Sequence, residues 1–281
     1  MTQKIAFQGE SGSNSHIACV EARPDYEPLA CRTFEDAFAA VEKGEADLAM
    51  IPVENTIVGR VGDIHHLLPT TKLHMVAEHF MAIRFQLMGL KGTKLEDIKR
   101  VFSHVMALGQ CRKFLREHGI IAVTSADTAG AARQVAHRRD PSAGAIAPAM
   151  AAEIYGLDVL ALSIEDETHN MTRFVIMARE PADIEAGSGP TVTAIHFEVR
   201  NIPAALYKVM GGFATNGVNM TKLESYQIGG SFSATQFYAE VEGHPEERNL
   251  QLALEELAFF SDSLKVLGVY PAAKTRGRRV S

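Results

Sequence analysis

Ile5-Ala6-Phe7-Gln8-Gly9-Glu10-Ser11-Gly12-Ser13-Asn14-Ser15-His16-Ile17-Ala18-Cys19-Val20 decides the fold. Three apolar residues give way to a polar loop with two glycines, and Ile17, Ala18 and Val20 then recur at helical spacing. A short apolar run with no polar alternation fits a strand buried on both faces, and the glycine loop before a helix makes this a βα unit. The rhythm repeats. Thr33 with Glu35 and Asp36 opens a helix closed by Gly44, and Leu48-Ala49-Met50-Ile51 is the next apolar strand. Strands at Val101-Phe102, Ile120 to Thr124, Ala145-Ile146-Ala147, Val159 to Leu162 and Phe174 to Met177 follow, with helices at Met106 to His118, Thr128 to Arg138 and Ala149 to Tyr155. Alternation at about 20-residue intervals predicts an α/β domain built on mostly parallel sheets. The apolar segment Leu73 to Leu90 breaks the rhythm and is expected to cross between two lobes.

Pro181 to Pro190 has breakers at both ends and small or polar residues within, which marks a linker. Beyond it the order changes to a strand at Val192 to Val199, a helix from Pro203 to Thr215 and strands at Val218 to Tyr226 and Phe232 to Val241. A helix from Pro245 to Phe260 and a strand at Leu264 to Tyr270 complete the series. Gln227-Ile228-Gly229-Gly230-Ser231 reads as a hairpin turn, so the order is the ferredoxin-like βαββαβ. The expected division is a catalytic domain over 1–180, a linker over 181–190, a second domain over 191–272 and a basic, disordered tail over 273–281.

The 281 residues carry 28 Lys and Arg against 34 Asp and Glu, a formal charge of −6. Mild acidity argues against nucleic acid as a partner, since phosphate contacts need a basic face. Four of the cations, Lys274, Arg276, Arg278 and Arg279, sit in the tail, so the rest of the chain is more acidic still. Cys19, Cys31 and Cys111 are widely spaced and lack a C-x-x-C pair, which fits reduced thiols rather than a disulfide framework or zinc module. No apolar run reaches the roughly 18 residues of a membrane span, and the apolar stretch after Lys4 is too short for a signal peptide. The expected location is the cytoplasm, with no membrane partner.

Four polar clusters fall just past strand ends, where βα sheets present ligands. Gly9 to His16 offers glycines, hydroxyls and a helix start suited to an anion, or simply a turn capped by Ser13 or Asn14. In Pro52-Val53-Glu54-Asn55-Thr56, Asn55 either shapes a turn or aims an amide into a cleft. In Ser103 to Cys111, His104 is a capping residue or a general base, and Cys111 shares an apolar stripe with Leu108 and Leu115. Glu165-Asp166-Glu167 reads as a solvated acidic loop. Thr172-Arg173 that follows places a hydroxyl and a guanidinium together as a carboxylate receptor, unless Arg173 pairs with a nearby acid.

Taken in order, Gly9-Glu10-Ser11-Gly12-Ser13-Asn14-Ser15-His16, Ile51 to Gly59, Ser103 to Cys111, Ala126-Asp127-Thr128-Ala129-Gly130-Ala131-Ala132 and Asn170-Met171-Thr172-Arg173-Phe174 resemble the prephenate dehydratase family. The C-terminal part resembles that family's ACT regulatory domain. The resemblance implies a bilobal catalytic domain similar to type II periplasmic binding proteins, with the site between the lobes. It implies decarboxylative dehydration of prephenate to phenylpyruvate in phenylalanine biosynthesis, needing no metal or cofactor. Thr172 stands on the family's essential threonine, and Asn55, Ser103 and Gln110 on its polar catalytic positions. Arg173, Phe174, Ser11, Ser13 and Glu54 are the expected substrate contacts.

Ala204, Ala205 and Leu206, with Asn219, Glu224 and Ser225, are the expected sites for an allosteric L-phenylalanine, and pairing of ACT domains implies a homodimer or homotetramer. Two departures bear on regulation: Ala204 replaces the family's glycine, and Tyr226-Gln227 replaces its Arg-Pro. Some relatives carry an N-terminal chorismate mutase; with the first strand at Lys4, a monofunctional enzyme is expected. The alternatives are an arogenate dehydratase, which differs only in the substrate's amino group, and a non-catalytic carboxylate or amino-acid sensor.

Overall fold

The computed structural model describes residues 2–227 and 234–276. These form two compact units, one of residues 2–61 and His79–Phe174, the other of Gly62–Glu78 and 175–276.

The first unit has two sheets. β1 (Lys4–Gln8), α1 (Asn14–Ala22), β2 (Glu27–Cys31), α2 (Phe34–Glu42), β3 (Leu48–Asn55) and the two-residue β4 (Gly59–Arg60) build the first lobe. β1 pairs in parallel with both β2 and β3, and Ile5, Ala6 and Phe7 are almost wholly enclosed, as an uninterrupted apolar run in a parallel strand should be. β5 (His74–Ala82) starts in the second unit and ends in the first, and β6 (Gln86–Gly89) begins the second sheet. That sheet continues with β7 (Arg100–Ser103), α3 (Val105–Gly109), α4 (Arg112–Glu117), β8 (Ile121–Thr124), α5 (Thr128–Arg138), β9 (Ala143–Ala147), α6 (Ala149–Tyr155) and β10 (Asp158–Ala161), in the strand order β10-β6-β9-β7-β8. Its core is rich in alanine: Ala129, Ala131, Ala132, Ala143, Ala145, Ala147, Ala151 and Ala152 let α5 and α6 sit close against the strands. β11 (Met171–Ala178) returns to the first sheet beside β3.

The helix expected over Met106 to His118 is instead two short helices, broken at Gln110–Cys111. The break is local: Gln110 caps α3, and its carbonyl accepts the Asp166 N–H at 2.6 Å. That bond takes an acceptor which a continuous helix would have used.

The second unit contains β12 (Thr191–Val199), α7 (Ala205–Thr215), β13 (Met220–Gln227), β14 (Ala234–Glu242), α8 (Arg248–Phe260) and β15 (Ser261–Pro271), in the sheet order β13-β14-β12-β15. This is the expected βαββαβ order. The turn expected over 228–231 and the first two residues of the following strand lie outside the described residues. Ile195, Phe197 and Val199 of β12 pack with Val209 and Phe213 of α7 and Leu250, Ala253 and Leu257 of α8. On the other face, Lys265 of β15 donates to the carbonyls of Leu68, Pro69 and Thr71, and within the sheet Gly268 of β15 pairs in parallel with Met75 of β5. A β-carbon at residue 268 would collide with the Met75 carbonyl, so this strand contact requires glycine.

Two boundaries therefore differ from those read in the sequence. Gly62–Glu78 belongs to the second unit because it covers that sheet's free face, a contact across some 190 residues that no local pattern encodes. The tail keeps order as far as Arg276, whose guanidinium bonds Glu78 and Glu240. Residues 277–281 lie outside the described residues.

Candidate active site

Asn55 ends β3 and Thr172 stands at the start of β11. The Asn55 Oδ1 accepts the Ile57 and Val58 N–H groups at 2.9 and 3.0 Å, closing the turn after β3. Its Nδ2 donates to Thr172 Oγ1 at 3.0 Å and to Asn170 Oδ1 at 2.7 Å. The two readings of Asn55 thus both hold, one for each end of the amide. Asn170 Nδ2 in turn donates to Gln110 Oε1 at 2.6 Å. A chain Thr172–Asn55–Asn170–Gln110 results, joining the first sheet to the α3 cap of the second. Thr172 is 9% exposed and Asn170 1%.

Thr172 Oγ1 accepts a hydrogen bond, and no acceptor for its own proton is found among the described residues. The same is true of the Gln110 Nε2 hydrogens. These are two donors with spare capacity, one held by Asn55, whose amide makes four hydrogen bonds, and the other by Asn170. Asn170 was not singled out from the sequence. The signal was present, because strand alternation places residue 170 on the same side as residue 172.

The same alternation separates Arg173 from Thr172. Arg173 Nη1 donates to Glu54 Oε1 at 2.8 Å, with side-chain exposures of 3% and 34%, and its guanidinium carbon lies 5.9 Å from the Phe80 ring centroid. Glu54 and Asn55 are successive residues of β3, as Arg173 and Thr172 are of β11, so the ion pair and the amide chain occupy opposite faces. The expectation of a hydroxyl and a guanidinium side by side is corrected: neighbours in a strand point apart. Arg173 is a buried, paired cation, and its partner is Glu54 rather than the acidic loop. Phe80 carries no local sequence signal for this contact, since Arg173 is 93 positions away.

Three further expectations change. Ser103 is fully buried and donates to Ile146 O at 2.6 Å, tying β7 to β9, so its proton is spent inside the fold. Phe174 is 1% exposed and belongs to the core. The acidic loop is not simply solvated: Glu165 is 3% exposed, pairs with Arg84 at 3.2 Å and accepts the Phe85 N–H.

The Gly9–His16 loop is a capped turn with a tight back wall. Ser13 Oγ accepts the His16 N–H at 3.4 Å, the Ser11 carbonyl accepts from Tyr155 OH at 2.9 Å, and Glu10 pairs with Arg133 at 2.9 Å. Gly12 has φ +89°, and a β-carbon there would lie 2.8 Å from Ala151 Cα, so the approach of this loop to α6 requires glycine. His16 Nδ1 accepts the Gly12 N–H at 2.9 Å, its ring stacks on Phe7, and burial lowers its pKa. His104 caps α3 by accepting the Met106 N–H at 3.3 Å. Burial pushes the Cys19 thiol up to about 12 and raises Cys111 further, with Asp166 and Glu165 adding to the effect, so neither is a ready nucleophile.

Of the residues expected to bind an effector, Ala204, Ala205 and Leu206 open α7, and Asn219, Glu224 and Ser225 lie at or along β13. Ala204 holds φ +64°, the left-handed conformation that suits the glycine it replaces. Glu224 pairs with Lys222 at 2.9 Å and accepts from Tyr226 OH at 2.7 Å, so Tyr226 serves the carboxylate. Among the described residues, no helix is long and apolar enough to cross a membrane.

The prephenate dehydratase family model matches residues 5–182. The chain is 48% identical, over 97% of its length and 97% of the relative's, to a bifunctional N-acyl-homoserine lactone acylase/prephenate dehydratase from Komagataeibacter europaeus. It is 37% identical to arogenate dehydratase 2 from Petunia hybrida, over 96% of this chain and 72% of that one. The solved structure of prephenate dehydratase from Arthrobacter aurescens in complex with L-Phe matches with a TM-score of 0.89 at 29% identity, covering 99% of this chain and 93% of that one. The chain belongs to the prephenate dehydratase family, whose enzymes are hydro-lyases.

Proposed function

We propose that the amide chain ending on Thr172 is the catalytic centre of a decarboxylative dehydration of prephenate to phenylpyruvate. Prephenate carries a ring carboxylate, a pyruvyl carboxylate and a ring hydroxyl. Cleavage of the bond to the ring carboxylate releases CO2 and sends its electron pair into the ring. The ring carbon–oxygen bond then breaks, and the oxygen leaves as hydroxide held by hydrogen bonds from the protein, which solvent water then protonates. Aromatisation drives both steps, so the protein's task is to hold the substrate and stabilise charge on the leaving oxygen.

One observation carries this reading: Asn55 occupies an acceptor position on Thr172 Oγ1 and leaves the hydroxyl proton unspent. A threonine hydroxyl is too weak an acid to give up its proton outright, so it acts as a donor that strengthens as charge develops. One such donor is worth about 100- to 1,000-fold in kcat. Gln110 Nε2 supplies a second donor from the other sheet. Arg173, paired with Glu54 on the opposite face of the strands, contributes a fixed positive charge and holds β3 against β11 rather than clasping the substrate directly.

The ferredoxin-like unit is the ACT domain of this reading, with L-phenylalanine as the effector and paired ACT domains making a cytoplasmic homo-oligomer. Support comes from the Arthrobacter relative, solved in complex with L-Phe. Arogenate is the alternative substrate, supported by the Petunia relative. A second activity is supported by the 48% identity to the Komagataeibacter protein, which is named as an N-acyl-homoserine lactone acylase as well. Purified enzyme is assayed for phenylpyruvate from prephenate, phenylalanine from arogenate and homoserine lactone from its N-acyl derivative, with and without L-phenylalanine. The reading expects turnover of prephenate that falls on addition of L-phenylalanine. Absence of turnover with prephenate overturns it.

A further inference from the structure

Among the described residues, the chain passes between the two sheets of the first unit twice, at residues 83–85 from β5 to β6 and at residues 162–170 from β10 to β11. The passes are tied to each other along their length. The Ile83 N–H donates to the Asn170 carbonyl at 2.9 Å, and the Ile164 N–H donates to the Phe85 carbonyl at 3.0 Å. Side chains add to these bonds. Glu165 Oε2 accepts the Phe85 N–H at 2.9 Å, and its Oε1 lies 3.2 Å from Arg84 Nη1, which also donates to the Thr168 carbonyl at 2.9 Å. Gln86 Oε1 accepts the Ser163 N–H at 2.8 Å, at a turn where Ser163 takes φ +48°.

Acidic residues are ordinarily solvated, yet the Glu165 side chain is 3% exposed, against 41% for Arg84. A carboxylate withdrawn from water is costly unless its charge is matched and its oxygens are hydrogen-bonded, and Arg84 and Phe85 meet both conditions from the other pass. The amide chain begins beside this tie. The next residue, Asp166, donates its N–H to the Gln110 carbonyl at 2.6 Å. Asn170, at the end of the same pass, bonds Asn55 on one side and Gln110 on the other. Thr172 and Asn55 belong to the first sheet and Gln110 caps α3 of the second sheet's layer. The separation of the two free donors, Thr172 Oγ1 and Gln110 Nε2, is thus set by how the passes are held.

We propose that Glu165, with Arg84 as its counter-ion, is a positioning residue for the dehydratase reaction: it locks the two passes together and fixes the spacing of the Thr172 and Gln110 donors. The inference rests on the reading of those two groups as donors to the leaving oxygen. Positioning of this kind acts on the transition state, so its loss lowers kcat and kcat/KM together and leaves KM unchanged.

The test measures kcat and KM for prephenate, at a temperature where each variant is folded, for Glu165→Ala, Glu165→Gln and the double variant Arg84→Met/Glu165→Gln. Each is made in the full-length parent chain and in a Gln110→Leu background. Glu165→Ala is expected to lower kcat about tenfold at unchanged KM, because small misplacements of reacting groups carry large rate costs. Glu165→Gln keeps an acceptor for the Phe85 N–H and recovers most of that loss. In the Gln110→Leu background one donor is gone and no spacing is left to hold, so Glu165→Ala costs less than about twofold there. Where Glu165→Ala fails to fold, the Arg84→Met/Glu165→Gln variant, which removes the ion pair without stranding a buried charge, gives the same comparison between backgrounds. Parental kcat in a folded Glu165→Ala enzyme, or equal losses in the two backgrounds, overturns the positioning role. Failure of the underlying reading looks different, because then Gln110→Leu and Thr172→Val themselves leave kcat unchanged.

Discussion

Replacing Asn170 should separate the structural from the catalytic work of the amide chain. Asn170 is 1% exposed and bonds Asn55 Nδ2 at 2.7 Å and Gln110 Oε1 at 2.6 Å. Asn170→Ala deletes both bonds, each worth about 1 kcal/mol net. Asn55 keeps Thr172 as an acceptor, and Gln110 is half-buried and can be rehydrated, so the added penalty for stranded partners is small. The total is about 2–3 kcal/mol, or a fall in Tm of about 5 °C for a chain of this size. The activity loss should be larger than stability accounts for. With one side of Asn55 released, Thr172 is no longer held to one direction, and kcat should fall about 10- to 100-fold. Asn170→Asp sharpens the test. The carboxylate still accepts from Asn55, but its second oxygen faces Gln110 Oε1, so the Gln110 amide must turn over and spend a donor that the reaction uses. The new negative charge also opposes a dianionic substrate, so KM for prephenate rises. Thermal melts and steady-state kinetics of both variants provide the readout. An Asn170→Ala enzyme with reduced Tm but kcat within twofold of the parent would refute the catalytic role of the chain.

Two other perturbations test separate parts of the structure. Ala204 has φ +64°, which costs a residue with a β-carbon about 1 kcal/mol, so Ala204→Gly should raise Tm by about 2 °C; a decrease would mean that the left-handed turn is not strained. His16 and His196 both have pKa values lowered below 6.5, by burial and, for His196, also by Lys265. The unfolded chain therefore binds protons first, and stability falls as pH drops through about 6.5 toward the lower folded values. Among the described residues the buried His196 Nε2 has no hydrogen-bond partner, so His196→Phe should reduce the loss of Tm between pH 7.5 and 5.5, and an unchanged loss contradicts this assignment.

The βα alternation was legible from Ile5 onward because buried parallel strands are apolar without interruption and their helices carry local caps. Thr128–Arg138 and Ala149–Tyr155 have the bounds read from the sequence, since Asp127 and Pro148 start those helices. Contacts between distant segments were not legible. Nothing near Gly62–Glu78 announces that it covers the sheet of the second unit, and nothing near Arg276 announces Glu78. At the site, the directions of side chains were harder to read than their positions along the strands. Thr172, Asn55 and Gln110 do meet, whereas Arg173 and Ser103 turn to inner partners, Glu54 and the Ile146 carbonyl. Strand alternation applied to Thr172-Arg173 would have found the first of these. The second depends on where β9 lies beside β7.

The central claim is that one hydroxyl proton, on Thr172, is directed at the leaving oxygen. Thr172→Val keeps the shape of the side chain and removes that proton, while Thr172→Ser keeps the proton and removes a methyl group. With prephenate as substrate, kcat should fall about 100-fold or more in the valine variant and stay within about tenfold of the parent in the serine variant. Equal kcat values for the valine variant and the parent would contradict the account.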